Sequence, residues 1–157
     1  MATLGMRHAV LWVSDPQRSS DFYGEALGLE VANSFDGGVF MSSPNSTTDH
    51  DLGLFRATGS GASRGGVGLY HISWEVATLA ELADAKERLQ HMGAFVGENN
   101  HGMSRSLYCQ DPDGIEFEVM WEVPLDLYDE DDPSNVPLDL DADIARWGAD
   151  RPGRGAT

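Results

Sequence analysis

Cations and thiols are what this sequence has least of. Lysine occurs once, at Lys86, and Lys plus Arg number 10 against 26 Asp plus Glu, a formal net charge of −16. Binding nucleic acid through its phosphates, or an anionic membrane surface, calls for a basic patch that this balance does not supply. The lone cysteine, Cys109, allows no disulfide within the chain and is compatible with a reducing cytoplasm, the expected location. No apolar run approaches the ~20 residues of a membrane-crossing helix. The N-terminal MATLGMRHAV lacks the long apolar region of a secretory signal.

What is present suits a packed globule. Of 157 residues, 41% are hydrophobic, with four Trp, six Phe and four Tyr, enough for a core of real size. The charge is uneven. Residues 124–157 hold nine acidic side chains and three arginines, including the run Asp129, Glu130, Asp131, Asp132. The expectation is one domain over residues 1–123 followed by an acidic tail, 124–157, solvated at that run. Within the tail, residues 137–147 carry spaced apolar side chains that could dock as a short helix. Residues 151–155, RPGRG, read as disordered.

Along the chain one pattern occurs twice. Residues 6–13 read as a buried strand with His8, Val10 and Trp12 on one face. Ser14 or Asp15 can cap the next helix, with Pro16 in its first turn, and Gly28 ends it. Short strands follow at 29–31, 38–41 and 50–55, and then a glycine- and serine-rich linker, 58–66. The second half begins again with a strand at 69–76, placing His71, Ser73 and Glu75 on one face. Residues 79–92 form the clearest helix, with Leu79, Leu82, Ala85, Lys86 and Leu89 spaced to bury a stripe. Gly93 stops it, and a strand at 94–96 follows. HAVLWV at 8–13 parallels HISWEV at 71–76, and GLEV at 28–31 parallels GAFV at 93–96. The fold class is therefore α+β, built from two βαβββ modules at about 6–57 and 68–123. His8 and His71 fall at equivalent positions within the first strand of each.

The second module ends in a hairpin, SLYCQDPDGIEFEVMW, turning at Asp111-Pro112-Asp113-Gly114. Strand alternation puts Ile115, Phe117, Val119 and Trp121 on one face and Glu116, Glu118, Met120 and Glu122 on the other. Tyr108 shares its face with Ser106 and Gln110, while Cys109 faces the other way and reads as packing. A solvated face accounts for such glutamates; so does a polar cup in which one of them holds a metal.

Two βαβββ units, a histidine in the first strand of each and a glutamate after a DPDG turn resemble the vicinal oxygen chelate superfamily over residues 7–123. That superfamily includes glyoxalase I, fosfomycin-resistance transferases and type I extradiol dioxygenases. The resemblance implies that the sheets curl into a cup, with His8, His71 and Glu118 as metal ligands. Glu118 is chosen over Glu116 because the family's ligand lies four residues after the turn glycine. Two imidazoles and a carboxylate suit Fe(II) with open positions, and Mn(II) or another divalent ion fits the same set.

Three further residues resemble the extradiol branch. His50, in TDHDLGL, matches the acid–base histidine; His101, in HGMS, matches a pocket histidine; Tyr108 matches the tyrosine that bonds the bound catecholate. His91 has no role and reads as a helix-end residue. Glu75 is either a neighbour of the site or solvated, and Glu116 carries no role. The resemblance implies an Fe(II)-dependent extradiol dioxygenase of aromatic-compound catabolism, its partners a catechol-type diol and dioxygen, with a homodimer or higher homo-oligomer compatible. The alternatives are a glyoxalase-type isomerase or lyase, a thiol transferase, or a metal-free binding protein of the same fold. The first wants a second carboxylate from the strand at 50–55, which has Asp51 but no Glu. The second wants cations for a phosphonate. Well-studied extradiol enzymes commonly carry a second pair of modules, absent from this sequence.

Overall fold

The computed structural model describes residues 2–3, 5–59 and 67–156, so most of the expected linker (60–66) lies outside the described residues. The chain divides into two compact units, Met1–Gly68 with Asp111–Asp113, and Leu69–Gln110 with Gly114–Thr157.

In the first unit β1 (Ala9–Val13), α1 (Pro16–Leu27), β2 (Glu30–Phe35), β3 (Gly38–Ser42) and β4 (Leu52–Arg56) follow in order. Their strands form one sheet, β1-β4-β3-β2, in which only the β1–β4 pair is parallel. Asp15 caps α1 by accepting from the Gln17 and Arg18 amides, and Pro16, which has no amide hydrogen to satisfy, opens the helix. Gly28 closes it in the left-handed region, φ 70°, where a side chain would be strained. Leu11, Val13, Tyr23, Ala26, Val39, Met41, Leu52 and Leu54 form the core between helix and sheet. The Tyr23 hydroxyl donates to the buried Asp111 carboxylate at 3.2 Å. Burial first, then the Asp111 charge, pushes this phenol above its ordinary range.

The second unit repeats the arrangement with β5 (Ile72–Glu75), α2 (Leu79–His91), β6 (Phe95–Asn100), β7 (Ser104–Gln110) and β8 (Glu116–Glu122), sheet order β5-β8-β7-β6. Again only the first pair, β5–β8, is parallel. Even an irregularity is duplicated, since the edge strand slips register at Val31/Asn33 in one unit and at Phe95/Gly97 in the other. The expected α2 stripe is buried at Leu79, Leu82, Ala85 and Leu89. Lys86 departs from it: half-buried, its ammonium pairs with Glu98 at 2.7 Å. His91 is exposed at the helix end. Cys109 is buried in the sheet core, and burial pushes its thiol up to about 12.

Four sequence expectations need correcting. His8 and His71 each precede a strand rather than lying within it. The register of β1 on β4 starts at Ala9↔Leu52, so residues before Ala9 have no ladder to join. The β1 strand is buried on one face only, with Trp12 68% exposed on the other. Residues 151–155 are packed: Gly153 lies against Trp121, the Gly155 amide donates to Glu75 Oε1 at 2.9 Å, and Arg154 donates to the Val123 carbonyl. Glu75 is thereby an anchor for the C-terminal segment. Asp132, expected to be solvated, accepts from Arg146 at 3.0 Å.

The expected short helix forms as α3 (Leu140–Trp147), capped by Asp139. Its Asp143 meets Arg105 of β7 at 2.6 Å, and Trp147 packs on Trp121 with ring centroids 5.6 Å apart. Arg105 is 1% exposed, and Asn100 Oδ1 and the Gly102 carbonyl accept from its Nη1. Among the described residues, no helix is long and apolar enough to cross a membrane. Because breaking a buried pair strands the surviving charge, Arg105→Ala is expected to lower stability by about 3–5 kcal/mol in denaturant titration.

Candidate metal and substrate site

Glu118 sits in the middle of β8, which is hydrogen-bonded on both sides, opposite Ser73 of β5 and Tyr108 of β7. Alternation sends Phe117, Val119 and Trp121 into the core and leaves Glu118 on the opposite face. There it is 7% exposed, an expensive place for a carboxylate without a compensating charge or donor. Its Oε2 lies 3.3 Å from His71 Nε2. Glu116 points the same way but pairs with Gln110 nearer the turn.

Tyr108 continues the cluster. Its ring lies edge-on to His71, centroids 6.0 Å apart, and Tyr70 flanks His71 from elsewhere. The phenol is held above its ordinary value by burial first, then by the Glu118 charge and Tyr70. Tyr108 Oη lies 2.6 Å from His101 Nε2, and His101 Nδ1 lies 3.0 Å from Asn135 Oδ1. The second unit therefore gathers four of the predicted residues: His71, Glu118, Tyr108 and His101.

The first unit gathers the other two. The His8 ring stacks on His50, centroids 4.4 Å apart and planes 28° from parallel, and Phe40 lies 4.5 Å from His50. His50 Nδ1 is 2.9 Å from Asp49 Oδ2. That bond, with backbone amides, holds the Asp49 carboxyl below the usual range. With Nδ1–H donated to Asp49, the basic lone pair is on Nε2. Asp51 is occupied elsewhere. It accepts from the Ser43 amide and the Ser46 and Thr48 hydroxyls at 2.7, 2.7 and 2.9 Å. Burial opposes its ionisation, but these bonds outweigh burial and depress its carboxyl. It organises the loop before β4.

Among the described residues, neither unit by itself assembles three His, Cys, Asp or Glu side chains around one point. The His71–Glu118 pair nevertheless fits a metal edge. Two bonds of about 2.1 Å meeting at a right angle put their donor atoms about 3.0 Å apart, close to the 3.3 Å observed. Among the described residues, buried His71 Nδ1 has no hydrogen-bond partner, and the ring's polar contact there is made through Nε2.

Residues 5–119 match the family model described as Glyoxalase/Bleomycin resistance protein/Dioxygenase superfamily. The chain belongs to that superfamily. The superfamily relatives include a catechol-2,3-dioxygenase of Bacillus subtilis (strain 168), 27% identical over 83% of this chain and 46% of its own length. Another is biphenyl-2,3-diol 1,2-dioxygenase 2 of Rhodococcus globerulus, 31% identical over 75% of this chain and 64% of its own. The chain thus spans about half to two thirds of these curated relatives. Among solved structures, a glyoxylase/bleomycin resistance protein/dioxygenase domain from Frankia sp. EAN1pec is 25% identical with a TM-score of 0.64, covering 77% of this chain and 99% of that one. The fosfomycin resistance protein FosX from Listeria monocytogenes, complexed with Mn(II) and sulfate, is 21% identical with a TM-score of 0.59, covering 75% and 90%.

Two contributors escaped the sequence reading. Asp49 adjoins His50 and was visible as a neighbouring acid, whereas Asn135 comes from a stretch read as tail. A pH measurement probes the Tyr108 environment. In metal-free protein its tyrosinate absorbance, isolated by subtracting a Tyr108→Phe spectrum, is expected to rise only above the ordinary value of about 10. Glu118→Gln removes a negative neighbour, so the transition moves down yet stays above that value, because burial remains. With the phenol's proton held more tightly when folded, stability falls as pH rises past about 10.

Proposed function

We propose that this chain is an Fe(II)-dependent extradiol dioxygenase, opening the ring of a catechol-type diol beside its hydroxyls with dioxygen as co-substrate. One observation carries the reading: Glu118, His71, Tyr108 and His101 run together on one face of the second sheet, a metal edge continuous with a neutral phenol and an imidazole. The dioxygenase relatives support it, and FosX supports a divalent metal for the fold.

His8, His71 and Glu118 would hold the ion. Bound there, Fe(II), or Mn(II) in its place, would supply a Lewis acid that acidifies the diol and keeps it beside dioxygen. His50 takes the proton of a substrate hydroxyl at Nε2, its ring fixed through Nδ1 by Asp49. The same nitrogen can return that proton to an oxygen as the ring opens. Tyr108, neutral across the physiological range, meets a substrate oxygen through its phenol oxygen, with His101 bonded behind it at 2.6 Å. The glyoxalase-type alternative lacks its extra carboxylate, since Asp51 is engaged within its own loop. A phosphonate-binding transferase would want basic residues, and the chain's one lysine is paired with Glu98. A homodimer or higher assembly and a cytoplasmic setting go with this reading.

Anaerobic loading with Fe(II), followed by aerobic assay on catechols, tests the activity through oxygen uptake and a yellow ring-opened product. Stoichiometric metal is expected in the wild type and lost in His71→Ala and Glu118→Ala. In His50→Ala, bound metal persists while turnover falls roughly 10²–10⁴-fold. Metal bound without oxygen uptake on any catechol would instead favour the isomerase reading.

A further inference from the structure

Asn135 is the one non-glycine residue among those described with a positive φ, 58°. Asparagine tolerates this region better than most residues, but the conformation is uncommon and requires support. The support is local. Asn100 and Val136 exchange backbone hydrogen bonds at 2.9 and 3.3 Å, so residue 135 emerges directly beside the strand end that leads into His101. Gly102, at φ 77°, leaves room for Ser134, whose Cβ would stand 3.3 Å from any side chain there. The Asn100 carboxamide ties the corner by accepting from the Gly102 amide at 2.8 Å and from Arg105 at 2.7 Å. This frame aims the Asn135 carboxamide at His101 Nδ1 from 34 residues away in sequence.

We infer that Asn135 is a positioning residue that fixes His101 as the Nδ1–H tautomer and so sets the direction of the hydrogen bond between His101 and Tyr108. A neutral imidazole has one donor and one acceptor nitrogen. With Nδ1–H given to Asn135 Oδ1, Nε2 must accept, and the Tyr108 hydroxyl must donate to it across 2.6 Å. The phenol oxygen then offers its lone pairs outward. It accepts a hydrogen bond from a substrate hydroxyl that still carries its proton, rather than donating to one already ionised. Under the proposed function, on which this last step rests, Tyr108 selects the diol oxygen that stays protonated, leaving the other hydroxyl for the base.

The full-length protein without added metal, labelled with 15N histidine, tests this by NMR of the ring nitrogens above the imidazole titration. His101 is assigned by His101→Gln, since the chain has five histidines. In the wild type, His101 Nδ1 is expected to carry the proton and Nε2 to be the acceptor. Asn135→Gly deletes the carboxamide without opposing the positive φ, and the tautomer is expected to become mixed or to move to Nε2–H. Asn135→Asp keeps an acceptor and is expected to restore Nδ1–H. Fe(II)-loaded Asn135→Gly is expected to turn over a catechol about tenfold more slowly, with recovery in Asn135→Asp. An Nε2–H wild type, or Nδ1–H unchanged in Asn135→Gly, overturns the inference whatever the turnover. Absence of activity on every catechol, with the tautomer shift present, overturns the proposed reaction and leaves Asn135's positioning role standing. An Nε2–H wild-type spectrum overturns the inference even if a variant fails to fold.

Discussion

A carboxylate in the middle of a strand bonded on both edges is the constraint around which the second unit is organised. Glu118 cannot move without taking β8 out of register with β5 and β7, and that register also fixes Phe117, Val119 and Trp121 in the core. The same pairing sets Tyr108 beside it, and the corner after β6 brings His101 to Tyr108. Burial of an ionisable group and rigidity of its surroundings thus have a common origin. A metal ligand needs both properties: a position set by packing, and an environment in which a cation is strongly favoured over water.

The repeat gives the first unit the same frame with a different filling. Where the second unit has a histidine, a glutamate and a tyrosine, the first has His8 stacked on His50 against a run of aromatic rings that includes Phe40 and Phe55. Duplication of the backbone extends to the register slip in each edge strand. The side chains have diverged on the face opposite each core, where packing places fewer demands on them, and that is where the candidate chemistry lies.

The strength of the alternation in β8 and of the 3.6-residue stripe in α2 made both elements legible, because each buries one face and each ends at a recognisable turn or glycine. The placement of His8 and His71 was less legible. The apolar run begins before the ladder does, and nothing local marks where a partner strand starts. The run at 129–132 and the last residues of the tail were misread for a related reason. Their composition suggested solvent and disorder, but Asp132 answers an arginine whose position depends on tertiary packing, and Glu75 was free to be claimed by a distant backbone amide. Asn135 shows the limit most sharply, since a carboxamide has no periodicity or spacing that announces its partner.

The buried thiol has a use beyond packing. Cys109 is the chain's only cysteine, sealed between β6 and β8 and disfavoured as a thiolate. An alkylating reagent can reach it only when the sheet of the second unit opens, so the rate of labelling is a clock for that opening. No second thiol confuses the reading, and nothing needs to be engineered into the protein to take it. Run with and without divalent metal, the clock reports how far an ion stiffens the strands that would hold it.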